Sequence, residues 1–230
     1  MRRLALAPGL TGVGCGLAAV ALGGWGWLLA WPALAFGLAA AGYLGLGPEV
    51  LGKGSDGRRR PLIGLVAGPY LGWRRLQWWR RRFQRVPTWN AVGPGLYLGR
   101  RPERGRELPP DLRYWVDVTA ELAPPRRLPD GVVYRCLPTL DYGLPREQAF
   151  RALLDELAPA EGGVLVHCAA GHGRSAMVAA ALLVRRGVAA DVDAAYARLQ
   201  AARPGVRRNP RQVALARRVA GEVSRAEAAP

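Results

Sequence analysis

Residues 4–48 form a run of 45 without a single Asp, Glu, Lys, Arg or His, and so long an uncharged stretch leaves few folds open. It is about twice the roughly 20 apolar residues that a helix needs to cross the hydrocarbon core of a bilayer. The apolar region of a secretory signal spans only about 7–15 residues, so the run is too long to be one. Near its middle, "LGGWGWLLAWP" (22–32) combines glycines with Trp25, Trp27 and Trp31, a composition suited to a turn at the membrane–water interface. Residues 1–48 are therefore expected to form an all-α two-helix transmembrane hairpin, with spans at about 4–23 and 28–47. The alternative is an apolar hairpin buried in the core of a soluble protein.

Charge is distributed to match. The chain carries a net +16, but residues 107–230 hold 17 basic and 14 acidic side chains, whereas residues 49–106 hold 14 and 3. The excess positive charge thus follows the apolar run, where anionic headgroups attract it. That makes an anionic membrane surface the expected partner and argues against nucleic acid. Arg2 and Arg3 precede the hairpin, Lys53 and Arg58 to Arg60 follow it, and the turn is neutral. Both ends should then face the cytoplasm, making the chain a multi-pass protein of the cell membrane with its C-terminal part on the cytoplasmic side. Cys15, Cys136 and Cys168 are too widely spaced for a disulfide framework or a zinc pattern, which fits a reducing compartment.

Residues 49–86 read as a basic juxtamembrane segment. "PLIGLVAGPYLGW" (61–73) is apolar but too short to span comfortably, so an interfacial or re-entrant course is expected. In "WRRLQWWRRRFQRV" (73–86), Leu76, Trp79, Phe83 and Val86 share one helical face among arginines. That pattern predicts a basic amphipathic helix on the membrane surface, or else an ordinary solvated helix packed on the following domain.

From residue 87 to 222 the chain alternates. Strand-like runs occur at 95–99, 114–118, 131–136 and 163–168, and helical patterns at 145–158, 174–186, 191–203 and 210–224. Gly187 stands where a helix C-terminal cap is expected. The alternation predicts an α/β domain whose central sheet is mostly parallel and flanked by helices, followed by a short tail at 223–230.

The chemistry concentrates in "HCAAGHGRS" (167–175), a strand end, a glycine-rich turn and a helix start. Such a turn aims backbone N–H groups and a helix N-terminus into one concavity, which suits a tetrahedral oxyanion. Ala169, Ala170, Gly171, His172 and Gly173 would supply the amides. Gly171 and Gly173 permit the close approach, and Arg174 can grip two phosphate oxygens at once. Under that positive potential the thiol of Cys168 should fall from about 8.5 into the roughly 3.5–7.5 range of reactive thiolates, making it a nucleophile. Ser175 is placed to hydrogen-bond the thiolate.

The pattern HC-x5-RS resembles the signature loop of the cysteine-dependent phosphatases. "YWVDVTAEL" (114–122), "LPTLDYGLP" (137–145) and "RPGVRRNPRQ" (203–212) follow the order of the dual-specificity subfamily. The resemblance covers about residues 90–220. Loop order sets it apart from the low-molecular-weight phosphatases, whose acid lies downstream of the loop. A dual-specificity phosphatase-like fold is implied, acting without metal or cofactor. The resemblance further implies that Cys168 attacks phosphorus, that Arg174 and the loop amides hold the equatorial oxygens, that Asp141 protonates the leaving oxygen and then activates water, and that His167 orients the loop.

Other readings of these residues remain open at this level. Cys168 and Arg174 could be a structural thiol and a surface arginine, and His167, Cys168 and His172 could crowd a zinc ion. Asp141 could initiate a turn, and Asp117 is a second candidate acid, although its strand-like setting favours a structural role. Asn209 and Gln212, around Pro210, read as a capping box or as substrate-side groups. A hydrolase anchored beside headgroups points to a phospholipid or lipid-linked substrate; against the resemblance to lipid-directed members, the loop has Ala169 and Ala170 where those relatives often carry lysines, which points to a single phosphate. A phosphoprotein substrate is the alternative. A catalytically silent module that binds phospho-ligands is the alternative of another class.

Overall fold

The computed structural model describes residues 2–81, 86–103 and 107–221. The expected tail at 223–230, residue 222 and Phe83 of the expected surface helix lie outside the described residues. The chain forms two compact units, Met1–Gln84 with Ala120–Pro124, and Arg85–Thr119 with Pro125–Pro230.

In the first unit, helices α1 (Arg2–Leu22) and α2 (Ala30–Ala41) form a hairpin. Gly23 and Gly24, with φ of 55° and 43°, turn the chain, and a 3-10 stretch over Gly24–Leu29 leads into α2. A π-helical turn at Gly42–Leu46 extends it. Small residues let the two helices approach: a Cβ on Gly12 would lie 3.0 Å from the Ala33 carbonyl oxygen and 3.1 Å from the Gly37 nitrogen. The runs Arg3–Leu22 and Gly24–Leu46 are both long and apolar enough to cross a membrane. Leu6, Leu10, Val13 and Leu17 on α1, and Trp25 and Trp27 in the turn, are exposed, an apolar surface that water disfavours.

The segment expected to change character at Trp73 instead breaks earlier, into helices α3 (Pro61–Val66) and α4 (Gly68–Arg81). The cause is local. Pro69 has no N–H to offer the Leu65 carbonyl, so the ladder cannot continue there. The indole Nε1 of Trp31 donates instead, 3.0 Å from Leu65 O and 3.2 Å from Val66 O. One turn on, Tyr70 and Trp73 pack against Phe36 of α2, with ring centroids 5.6 and 5.7 Å apart. Tyr70 is buried, whereas Leu76 and Trp79 are 46% and 44% exposed. The packed face thus lies nearer the start of α4 than the apolar periodicity suggested. Arg59 donates to the Leu51 and Ala120 carbonyls, and Arg74 pairs with buried Glu121 at 3.4 Å, which fastens Ala120–Pro124 into this unit.

The second unit is an α/β layer. Its strands are β1 (Trp89–Gly93), β2 (Leu96–Arg100), β3 (Leu112–Asp117), β4 (Val133–Cys136) and β5 (Gly163–Cys168), in the order β1-β2-β5-β3-β4. β2, β5, β3 and β4 run parallel, and β1 pairs antiparallel with β2 through a two-residue turn whose Gly95 has φ 56°. The mostly parallel sheet is as expected; the β1 edge strand was not anticipated. All six residues of the central β5 are buried, as a strand covered on both faces requires.

Among the described residues, four α-helices complete the unit: α5 (Glu147–Leu157), α6 (Arg174–Arg185), α7 (Val192–Ala202) and α8 (Pro210–Ala220). In α6 every residue from Arg174 to Leu183 is buried. Its run of alanines keeps it thin enough to lie against β2 and β5 while α5, α7 and α8 pack around it. Strand register sets Arg100 beside Cys168 and Asp117 beside His167, so the chemistry-bearing residues gather at the carboxyl ends of the parallel strands, where sites of open α/β sheets form.

Candidate active site

Cys168 is the last residue of β5, Arg174 the first of α6, and residues 169–173 form the turn between them. Gly171 has φ 77°, and a Cβ on it would lie 2.4 Å from the Gly99 carbonyl carbon and 2.6 Å from the Arg100 nitrogen. The turn is therefore pressed onto β2, and only glycine fits there. This seating aims the Gly171 N–H at the Cys168 Sγ, 3.2 Å away, and the Ser175 hydroxyl donates to the same sulfur at 3.3 Å. Burial pushes the Cys168 thiol up. The Arg174 charge and the hydrogen bonds from Ser175 and Gly171 outweigh that, so its pKa is lowered from the ordinary value.

Arg174 is buried, with its guanidinium spanning from the loop to the segment after β4. Nη1 donates to the Thr139 carbonyl at 2.8 Å, and Nη2 pairs with Asp141 Oδ1 at 3.3 Å. Asp141 is thereby brought to the same arginine that serves the loop, on a partly exposed turn. Asp117, the other candidate acid, is buried and committed: it accepts from Thr119 N at 2.8 Å, Thr119 Oγ1 at 2.7 Å and Tyr134 OH at 2.8 Å. It is a structural anchor at the end of β3.

His167 is buried, its ring edge-on to Trp115 at 6.0 Å, and its Nδ1 lies 3.4 Å from the Cys168 carbonyl oxygen. Ala169 is buried and Ala170 half-buried, and neither adds charge to the turn. The half-buried His172 rests against Gly205, where a Cβ would come within 2.6 Å of Nε2. Gly173 sits at the N-cap of α6.

The expected capping box is only half present. Asn209 Oδ1 accepts from Arg211 N at 3.0 Å, at the start of α8, with Pro210 at the first helical position. Gln212 does not reach back to it. Its Nε2 donates to the Gly143 carbonyl at 2.9 Å, so the buried amide ties α8 to the turn that carries Asp141. Arg203 is the residue that sequence reasoning missed. From behind the turn, its buried guanidinium donates to the carbonyls of Gly171 (3.0 Å) and Ala170 (3.3 Å), and to Pro87 O and Asn90 Oδ1. Burial lowers its pKa and the nearby Cys168 opposes that, so a second cation sits under the thiolate. Its signal was its place in "RPGVRRNPRQ"; the contacts themselves join residues 32 to 116 positions apart.

The arrangement is a buried thiol at the floor of a glycine-rich turn, a guanidinium at its wall and a carboxylate at its rim, a geometry that suits an anion. Among the described residues, no group of three or more His, Cys, Asp or Glu side chains gathers as a metal site.

Residues 147–217 match the family model described as "Dual specificity phosphatase, catalytic domain". No curated protein matches the chain. Similar solved structures include human DUSP28 at 24% identity, covering 63% of this chain and 97% of that one with TM-score 0.49. Tk-PTP in its active form is 24% identical, over 60% of this chain and 99% of that one, with TM-score 0.48. PTPMT1 in complex with PI(5)P is 19% identical, over 62% and 99%, with TM-score 0.49. Residues 147–217, which carry the turn after Cys168 and helices α5 to α8, are thus similar to the catalytic domain of the dual-specificity phosphatases, a family of phosphoric monoester hydrolases.

Proposed function

We propose that the chain is a membrane-anchored phosphatase that hydrolyses phosphomonoesters through a phosphocysteine, with a phospholipid or lipid-linked monophosphate as substrate. The observation that carries the chemistry is the Cys168 sulfur. It receives hydrogen bonds from Gly171 N and Ser175 Oγ, beside an Arg174 that also holds Asp141.

In the first step the Cys168 thiolate attacks phosphorus, a P–S bond forms and the P–O bond to the leaving group breaks. The amides of residues 169–174 and the Arg174 guanidinium hold the three equatorial oxygens as charge develops. Protonated Asp141 gives its proton to the departing oxygen. In the second step Asp141 takes a proton from water, the water oxygen bonds to phosphorus and the P–S bond breaks. Phosphate leaves, and Ser175 stabilises the returning thiolate. An incoming phosphate competes with Asp141 for Arg174, which frees the carboxyl group to meet the leaving oxygen. His167 supports the turn from beneath through the Cys168 carbonyl.

Two apolar helices on the same chain, Arg3–Leu22 and Gly24–Leu46, support tethering to a membrane. The flanking arginines support a cytoplasmic catalytic unit. Tethering concentrates the site at headgroups. The loop adds no cation beyond His172 to Arg174, which favours a substrate with one phosphate. The test is the full chain in mixed micelles, assayed on a phospholipid monophosphate, a polyphosphorylated lipid and phosphotyrosine and phosphoserine peptides. A higher kcat/KM on the lipid monophosphate is expected; a higher value on a peptide would make the chain a phosphoprotein phosphatase instead.

A further inference from the structure

Asp141 lies on a turn closed by Gly143 N donating to the Leu140 carbonyl at 2.8 Å. At the position after the acid, Tyr142 has φ 57°, a positive value that such turns normally reserve for glycine or asparagine. Among the described residues it is the only non-glycine with positive φ. A side chain in that conformation persists only where its surroundings hold it. Two buried ties act on the turn's backbone: Arg174 on Thr139 O and Gln212 on Gly143 O. A third acts on the side chain. Arg207 Nη1 donates to the Tyr142 hydroxyl at 3.0 Å, and both groups face solvent.

Arg207 touches the other half of the site through its backbone. Its N–H donates to the His172 carbonyl in the phosphate-binding turn at 2.8 Å. One residue therefore has its main chain on the phosphate loop and its side chain on the acid turn. We infer that the Arg207–Tyr142 hydrogen bond latches the acid turn to the phosphate loop, making Arg207 and Tyr142 positioning residues for Asp141. This rests on the reading of Asp141 as the proton donor. The latch differs from the two backbone ties in being solvent-facing.

The test compares an alkyl phosphate, whose leaving oxygen needs a proton, with an activated aryl phosphate, whose leaving oxygen does not, using the full chain in detergent. Arg207→Ala and Tyr142→Phe should each lower kcat/KM on the alkyl phosphate, which reports formation of the phosphocysteine, by about threefold to tenfold, the range one hydrogen bond supports. The kcat/KM on the aryl phosphate should be spared, and the double variant should be no worse than either single one. In an Asp141→Asn background, Arg207→Ala should have no further effect; in the parent chain, Arg207→Lys, which keeps a donor, should lose less than Arg207→Ala. Equal losses of kcat/KM on both substrates, or an undiminished effect in the Asp141→Asn background, would overturn the latch. If Asp141→Asn itself spares the alkyl phosphate, the acid assignment fails instead, and the two failures are separable.

Discussion

Gly171→Ala tests whether the catalytic turn is seated as described, and Gly187→Ala serves as its control. Both glycines have positive φ, 77° and 67°. A Cβ at Gly187 meets nothing within 4 Å, whereas one at Gly171 falls 2.4 to 2.6 Å from the Gly99 and Arg100 backbone. The left-handed conformation costs a residue with a Cβ about 1–2 kcal/mol, and that is the whole expected cost at Gly187. At Gly171 the backbone must also shift, adding roughly 1–3 kcal/mol. The two variants should therefore differ by about 1–3 kcal/mol, which for a domain of this size separates their melting temperatures by roughly 3–10 °C. The assay is thermal unfolding of the full chain in detergent by circular dichroism, with aryl phosphate turnover measured alongside. Gly187→Ala should retain turnover. Gly171→Ala should lose most of it, because the shift withdraws the N–H that faces the Cys168 sulfur. Equal melting temperatures with turnover intact in both would refute the close seating of the turn on β2.

Two further outcomes follow from the electrostatics. Alkylation of Cys168 by iodoacetamide should rise with pH through a midpoint below that of an ordinary thiol, and Ser175→Ala should move the midpoint upward; an unmoved midpoint would separate Ser175 from the thiolate. Because folding lowers this pKa, the coupling stabilises the fold fully above the unfolded thiol's pKa and is lost as pH falls through the folded value. Arg203→Met leaves the Gly171 and Ala170 carbonyls without their buried donor. It should destabilise the chain by about 2–4 kcal/mol, read as a lower urea midpoint with an unchanged slope. A midpoint like that of the parent chain would show that the guanidinium does not brace the loop.

The parts legible in the sequence are those governed by short-range pattern. The strand, turn and helix around Cys168 lie within a dozen residues, and strict apolar runs mark β5 and α6. Asp191, at the N-terminus of α7, accepts from Ala194 N as a local cap should. What escaped depends on contacts between distant segments. Strand β1 is short and sits between Pro87 and the Gly93–Gly95 turn, so it reads as irregular chain until β2 pairs with it. Gln212 fits a local capping pattern, yet its amide is used 69 residues away. The helix break at Ala67 was hidden by the apolar run across it. Pro69 marked the spot, but the Trp31 indole that completes the break comes from α2.

The most direct test of the central claim is rapid quenching of the full chain with alkaline denaturant, in detergent and without added metal, during turnover of a radiolabelled aryl phosphate. The parent chain should release phosphate and carry alkali-stable, acid-labile label on Cys168, while Cys168→Ser does neither. Turnover by Cys168→Ser, or turnover by the parent chain with no label at Cys168 under any quench time, would contradict a phosphocysteine mechanism.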